Sequence, residues 1–145
     1  MDGKNSDTPG ERMLVVAGAL KGAGDRWLMH QRPEGKHHVG LWEFPGGKVE
    51  PAEIPVKALI RELREELGIA VVSGDCLPAT FAEIPASGSQ KAIVILLYIV
   101  AHWEGEPQAL EGGAIDWFAP GDIARLDKPP LDVKLAQRLF EKAQG

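Results

Sequence analysis

Residues 47–69 read GKVEPAEIPVKALIRELREELGI and contain the clearest secondary-structure signal in the chain. Pro55 suits the first position of a helix, and Gly68 suits the position that follows one. Apolar residues recur between them at helical spacing: Val56, Leu59, Ile60, Leu63 and Leu67. The pattern predicts an amphipathic helix from about Pro55 to Leu67 with its apolar stripe buried.

The same helix carries a cluster of glutamates. Glu62, Glu65 and Glu66 stand at i, i+3 and i+4, so their carboxylates share one face and can reach a common point. A solvated acidic face is the ordinary interpretation of such a cluster. A divalent-cation site is the alternative, because Mg²⁺ binds carboxylate and carbonyl oxygens while it retains waters and substrate phosphate. Glu53 ahead of the cluster, and Arg61 placed to pair with one of the acids, favour the cation site.

The spacing of these residues resembles the Nudix box, G-x5-E-x7-R-E-U-x-E-E-x-G-U, in which U is aliphatic. All seven fixed letters are present in residues 47–69, and both U positions are Leu or Ile. At a frequency of about 7% per letter, such a match would arise by chance about once in 10⁸ windows. The resemblance to the small MutT-type members extends beyond the box and spans about residues 12–142. The further matching stretches are residues 13–32, 42–47, 103–107, Trp117 and the pair Pro129-Pro130.

The resemblance implies an α/β fold, the Nudix α/β/α sandwich with a mixed central sheet. It implies hydrolysis of oxidised or non-standard nucleoside triphosphates to monophosphate and pyrophosphate, as in MutT-like 8-oxo-dGTP diphosphatases that clean the nucleotide pool and serve DNA repair. The implied cofactor is Mg²⁺, for which Mn²⁺ can substitute. The alternatives are a CTP or 5-methyl-dCTP pyrophosphohydrolase, a Nudix hydrolase of another nucleoside diphosphate derivative, and a non-catalytic nucleotide-binding domain. The intact glutamate set argues against the last, because a silent domain has no need of adjacent carboxylates that repel each other.

The resemblance also implies roles for individual residues of the site. The expected metal ligands are the Gly46 carbonyl and the carboxylates of Glu62, Glu65, Glu66 and Glu111. Arg61 would hold the glutamates by charge-assisted hydrogen bonds. Glu53 would support the site or serve as an auxiliary base, and the pattern does not indicate which glutamate is the base. Two positions depart from the usual family residues, since Ala52 replaces a common Gly and Ile54 replaces a common Ser or Thr cap.

On the substrate side, Arg32 and Lys48 match residues expected near the phosphates. Phe44 has two interpretations, contact with the base or packing alone. Asp132 follows a Pro-Pro pair where MutT relatives place an Asn that reads the damaged guanine. It is interpreted either as a helix cap or as a base reader. An ionised carboxylate would suit the exocyclic amine of cytosine, whereas a buried, protonated carboxyl would recover the donor that 8-oxoguanine needs.

The remaining sequence predicts strands and helices around this segment. A hairpin is expected from 13–20 and 26–32, joined to an extended piece at 41–47. The loop at 33–40 holds His37 and His38, which are interpreted as solvated. Further expectations are a strand over 69–72 that extends as far as 81, a central strand over 91–103, a strand over 115–118, a short helix capped by Asp122 and a terminal helix over 131–142.

Composition bounds the class of protein. The chain has 145 residues, which is the length of one ordinary domain, expected here over 12–145 after a disordered polar tail over 1–11. A formal net charge of −5 disfavours binding of long nucleic acid, although a bridging cation still permits a polyphosphate. The longest apolar run, 92–101, is too short to cross a membrane. The single cysteine, Cys76, fits a reducing cytoplasm. Either a monomer or a homodimer is expected.

Overall fold

The computed structural model describes the chain from residue 12 to residue 144, with side chains described up to residue 141. The predicted disordered tail, 1–11, lies outside the described residues. The elements are β1 (Arg12–Gly22), β2 (Arg26–Gln31), β3 (Trp42–Glu43), β4 (Gly46–Lys48), α1 (Pro55–Leu67), β5 (Cys76–Ile84), β6 (Ala92–Val100), β7 (Ala114–Phe118), α2 (Pro120–Ile123) and α3 (Pro130–Gln144). No helix within residues 12–144 is long and apolar enough to span a bilayer.

The strands form one mixed sheet in the order β3-β2-β1-β6-β5, with β4 also paired to β1 and β7 also paired to β2. β1 and β6 run parallel, in register from Arg12–Ala92 to Leu20–Val100. The predicted hairpin of β1 and β2 is confirmed as an antiparallel pair. β6 lies between β1 and β5, as expected for a strand that is apolar on both faces.

Residues of β1 alternate between two hydrophobic cores, one on each face of the sheet. Val16 and Leu20 belong to the core beneath α1, whereas Ala17 and Ala19 belong to the core beneath α2 and α3. This alternation is the period of two of an extended strand. Helices therefore cover both faces, and the predicted α/β/α sandwich is confirmed.

The boundaries of α1 agree with the sequence prediction. Gly68 follows the helix with φ 74°, and its N–H donates to the Arg64 carbonyl at 3.0 Å. Ile54 occupies the N-cap without a side-chain hydrogen bond, a loss worth about 1 kcal/mol of helix stability. Ala52 has φ 65°, a left-handed conformation that disfavours a side chain and that glycine would adopt without strain.

Three secondary-structure predictions were wrong in detail. Residues 69–72 form only an isolated bridge, Ala70–Glu104, because a 3₁₀ turn at Ser73–Asp75 intervenes before β5. The central strand ends at Val100 rather than at 103. Asp122 does not cap α2: Ala119 is the N-cap, and Asp122 lies inside the helix and accepts a hydrogen bond from Arg125 at 3.2 Å.

Candidate active site

The Arg61 guanidinium joins the acidic residues of the predicted site. Its Nε and Nη2 each donate to one oxygen of Glu53 at 2.9 Å, and Nη2 also donates to the Lys48 carbonyl at 3.0 Å. Its Nη1 donates to Glu62 at 3.0 Å and to Glu65 at 3.4 Å. The guanidinium therefore offsets the repulsion among three carboxylates and ties α1 to the loop that precedes it.

Glu53 is held by donors at both of its oxygens. Besides the two bonds from Arg61, the Glu50 N–H donates to Glu53 Oε1 at 2.9 Å. These contacts, and the Arg61 bond above all, lower the pKa of Glu53 to about 2. The bonds from Arg61 tie Glu53 to the glutamate cluster, which agrees with a supporting role, and its service as an auxiliary base stays a prediction.

Glu66 projects from α1 beneath β4, where it is only 7% exposed. Its Oε1 accepts a hydrogen bond from the Gly46 N–H at 3.0 Å. Burial is the main cause that raises the pKa of Glu66 to about 7. A buried carboxylate beside other carboxylates is an electrostatic arrangement that a divalent cation would relieve.

The glycine pair of β4 lets the backbone pass between β1 and the glutamates. A Cβ atom on Gly47 would lie 2.3 Å from Cδ of Glu62, and one on Gly46 would lie 2.0 Å from the Val16 carbonyl oxygen. Any side chain at Gly47 would therefore displace the Glu62 carboxylate. The β4 backbone fits between β1 and the Glu62 carboxylate only because both residues are glycine.

His30 and Glu43 complete the site, and sequence reasoning missed both. His30 is 4% exposed, and its Nε2 lies 2.9 Å from the Gly112 carbonyl oxygen. Its Nδ1 lies 3.6 Å from Oε2 of Glu66 and 3.9 Å from Oε2 of Glu43. The adjacent Glu43 carboxylate raises the pKa of His30, although burial opposes this. The one sequence signal for His30 is its position as a polar residue at the end of the apolar run WLMH. Its pairing with Glu43 depends on the register between β2 and β3.

A cavity of about 330 Å³ opens beside this cluster. Its lining combines the missed pair with four predicted site residues: His30, Glu43, Arg32, Gly46, Glu66 and Glu111. Arg32 donates from Nη1 to both oxygens of Glu43, at 3.2 and 3.1 Å. The Glu62 carboxylate has a raised pKa, chiefly through burial, and the negative charges of Glu65 and Glu111 add to it. The structure thus brings the predicted phosphate-binding arginine and the predicted ligand Glu111 to the buried glutamates.

Three of the four predicted substrate-binding residues do not line this cavity. Phe44 is 3% exposed within the core that packs on α3, so its ring has a packing role, and contact with a base stays a prediction. The Lys48 side chain is exposed. Asp132 is 6% exposed and accepts a hydrogen bond from the Phe44 N–H at 3.0 Å, and burial raises its pKa to about 7. Asp132 therefore ties α3 to the β3–β4 connection, which is a different contact from a helix cap, and base reading by Asp132 stays a prediction.

The donor set as a whole fits a divalent cation. Glu62 and Glu66 present carboxylates against the β4 backbone, Glu111 reaches the cavity from a loop, and the Gly46 carbonyl belongs to the same strand. Hard oxygen donors of this kind are those that Mg²⁺ and Mn²⁺ bind.

Comparison with known proteins agrees with this geometry. The family model described as NUDIX domain matches residues 11–139. The chain is 36% identical over 126 residues to the CTP pyrophosphohydrolase of Escherichia coli, covering 87% of this chain and 90% of that protein. It is 34% identical over 131 residues to the 8-oxo-dGTP diphosphatase of Haemophilus influenzae, covering 90% and 93%.

Solved structures give the same result. The solution structure of the E. coli ORF135 protein superposes with a TM-score of 0.79 at 32% identity, covering 93% of this chain and 92% of that one. The crystal structure of the MutT NUDIX hydrolase from Burkholderia pseudomallei has a TM-score of 0.72 at 26% identity, covering 89% and 98%.

Proposed function

This chain belongs to the Nudix family, and we propose that it hydrolyses oxidised or non-standard nucleoside triphosphates to the monophosphate and pyrophosphate. The observation that carries the proposal is the convergence of Glu66 and Glu111 with Arg32 on one cavity, next to the glutamates that Arg61 holds. Carboxylates and an arginine at one cavity suit a polyphosphate bound through a cation. Its similarity to proteins named 8-oxo-dGTP diphosphatase makes 8-oxo-dGTP the leading substrate.

Phosphoryl transfer needs positioning and charge neutralisation more than covalent chemistry by the protein. A Mg²⁺ or Mn²⁺ ion held by Glu62, Glu65, Glu66, Glu111 and the Gly46 carbonyl would neutralise phosphate charge and activate the attacking water. Arg61 keeps the carboxylates in place through its bonds to Glu53 and Glu62. Arg32 presents a planar guanidinium at the cavity, which suits a phosphate.

A screen of nucleotides with Mg²⁺ tests the proposal. Pyrophosphate should be the product, with orthophosphate absent, and an excess of chelator should abolish the reaction. Glu66→Gln is the matched inactive variant, because it keeps the shape and the acceptor for the Gly46 N–H but removes the ligand charge. Full activity in excess chelator, or release of orthophosphate alone, would refute the proposal.

A cytidine nucleotide, CTP or 5-methyl-dCTP, is the second candidate substrate. Two observations favour it: Asp132 is a carboxylate rather than an amide, and the chain is similar to a protein named CTP pyrophosphohydrolase. Above its raised pKa of about 7, an ionised Asp132 would accept a hydrogen bond from the cytosine amine but could not donate to the carbonyl of 8-oxoguanine, so the comparison is made at pH 8. Asp132→Asn should therefore raise the ratio of kcat/KM for 8-oxo-dGTP to that for CTP by about tenfold, or about 1.4 kcal/mol. An unchanged ratio would mean that the base is read elsewhere.

The proposal includes the setting in which the enzyme acts. We place it in the cytoplasm, as a monomer or homodimer that acts on free nucleotides in nucleotide-pool sanitation and so in DNA repair, without long nucleic acid or membrane as partner. The net charge of −5 disfavours long nucleic acid as a partner, which supports free nucleotides as the substrate. The single cysteine is typical of a reducing compartment. Size-exclusion chromatography with light scattering decides the oligomeric state.

A further inference from the structure

We propose that His30, Glu43 and Glu66 form a transition-metal site beside the glutamate site, with the His30 imidazole as a nitrogen ligand. One ligand atom from each of the three residues lies within 4.8 Å of those of the other two. The site would take Co²⁺ or Zn²⁺ in preference to Mg²⁺, because imidazole is a ligand for these ions and Mg²⁺ prefers oxygen. Mn²⁺ binds oxygen ligands and also accepts imidazole, and it serves as the paramagnetic probe. The inference concerns binding and does not depend on which nucleotide is hydrolysed.

The tautomer of His30 leaves a lone pair aimed at the carboxylates. Nε2 lies 2.9 Å from the Gly112 carbonyl oxygen, which can only accept, so Nε2 carries the hydrogen. In the neutral ring, Nδ1 then bears a lone pair, and it faces Oε2 of Glu66 and Oε2 of Glu43. Nδ1 is buried and has no hydrogen-bond partner among the described residues. Three electron-pair donors thus converge, which is the arrangement that a cation completes.

The distances suit a metal ion after a small contraction. Nδ1 lies 3.6 Å from the Glu66 oxygen and 3.9 Å from the Glu43 oxygen. Ligand atoms bound tetrahedrally at about 2.1 Å from a metal lie about 3.4 Å apart. The bond from His30 to the Gly112 carbonyl is also typical of metal-binding histidines, which donate their second ring N–H to a carbonyl or carboxylate that orients the ring.

The two oxygens of Glu66 have different surroundings, which permits two neighbouring ions. Oε1 accepts from the Gly46 N–H at 3.0 Å, while Oε2 faces His30. Glu66 can therefore bridge this site and the proposed catalytic site, as carboxylates do in two-metal centres. Arg32 restrains Glu43 by bonds to both of its oxygens and offsets its charge, so that the pull on the ion comes mainly from Glu66 and the His30 lone pair.

Pulsed electron paramagnetic resonance of Mn²⁺ tests the site directly and needs no catalysis. The metal-free protein is titrated with Mn²⁺ at pH 8. A proton on Nδ1 competes with the metal for the same lone pair, and a higher pH disfavours that proton. Electron spin-echo modulation from directly bound ¹⁴N should appear in the wild-type protein, and ¹⁵N-histidine labelling should change it. Mn²⁺ should bind about tenfold more weakly to His30→Ala, whereas the exposed His102→Ala should behave as wild type. Failure of the hydrolysis proposal would leave these readouts intact.

A second variant covers the case in which His30→Ala does not fold. The chain has four histidines, so replacing His37, His38 and His102 together leaves His30 as the sole source of histidine nitrogen. The three replaced residues are exposed, and the nitrogen modulation should persist in this variant. Absence of nitrogen modulation in the wild type, its loss in the triple variant, or its persistence in a folded His30→Ala would each overturn the inference. Modulation that survives only with His30 present supports it.

Discussion

The free energy of unfolding of Asp132→Asn, relative to that of wild type, should increase as the pH rises. The buried carboxyl has a pKa of about 7, against 3.8 for an ordinary Asp, because burial disfavours its charge. Between about pH 4 and pH 7 the folded state holds a proton that the unfolded state has lost. The stability of the wild type should therefore fall as pH rises through that window.

The magnitude follows from the same interval. At about 1.4 kcal/mol per pH unit, the range from 3.8 to about 7 is worth about 4 kcal/mol, of which about 3 kcal/mol lies above pH 5. Asn has nearly the same shape, and its amide oxygen still accepts from the Phe44 N–H, so the uncharged variant loses the pH dependence and keeps the contact. Glu66 also has a raised pKa, but it is present in both proteins and cancels in the difference.

Urea unfolding of the metal-free protein, followed by tryptophan fluorescence at pH 5 and pH 8, measures this difference. The free energy of unfolding of Asp132→Asn minus that of wild type should increase by about 3 kcal/mol from pH 5 to pH 8. Asp116→Asn, at an exposed position on β7, is the control and should give the same difference at both pH values. Equal pH profiles for wild type and Asp132→Asn would refute the reasoning, since they would mean that Asp132 is ionised in the folded protein at little cost.

Three further changes address the site itself. Glu66→Gln should lower turnover by about 100-fold or more without loss of stability at pH 8, because it removes a ligand charge and a buried carboxylate together; a marked fall in the urea midpoint would contradict this. Arg61→Lys should raise the pKa of Glu53 from about 2 towards its ordinary range, because an ammonium cannot donate the paired bonds. A ¹³C carboxyl titration by NMR measures this pKa, and an unchanged value would show that other contacts hold Glu53. Gly47→Ala should lower kcat by about tenfold or more by displacing Glu62, whereas Gly121→Ala, where a Cβ meets nothing within 4 Å, should retain full activity; equal rates would show that Glu62 is free to move.

Local sequence signals predicted much of this molecule. The apolar spacing, Pro55 and Gly68 defined α1 to the residue, because each acts within a few residues of chain. The same segment indicated Arg61 and the glutamates as a unit, since residues one to eight positions apart on a helix and its leading loop lie close whatever the tertiary fold. Predictions failed where a local signal was ambiguous, as at Ser73–Asp75, where a 3₁₀ turn interrupts an extended run.

Contacts between residues distant in the chain could not be predicted in this way. His30 meets Gly112 across 82 residues, and Asp132 meets the Phe44 N–H across 88. The His30 pair depends on the register of β2, because a one-residue slip would turn the imidazole to the other face of the sheet. The Asp132 pair depends on the packing of α3 beside the segment that follows β3. The sequence by itself determined the helix, its glutamates and the family. The tertiary structure alone decided which of the polar residues are buried, because desolvation and pairing depend on neighbours that the chain supplies from elsewhere.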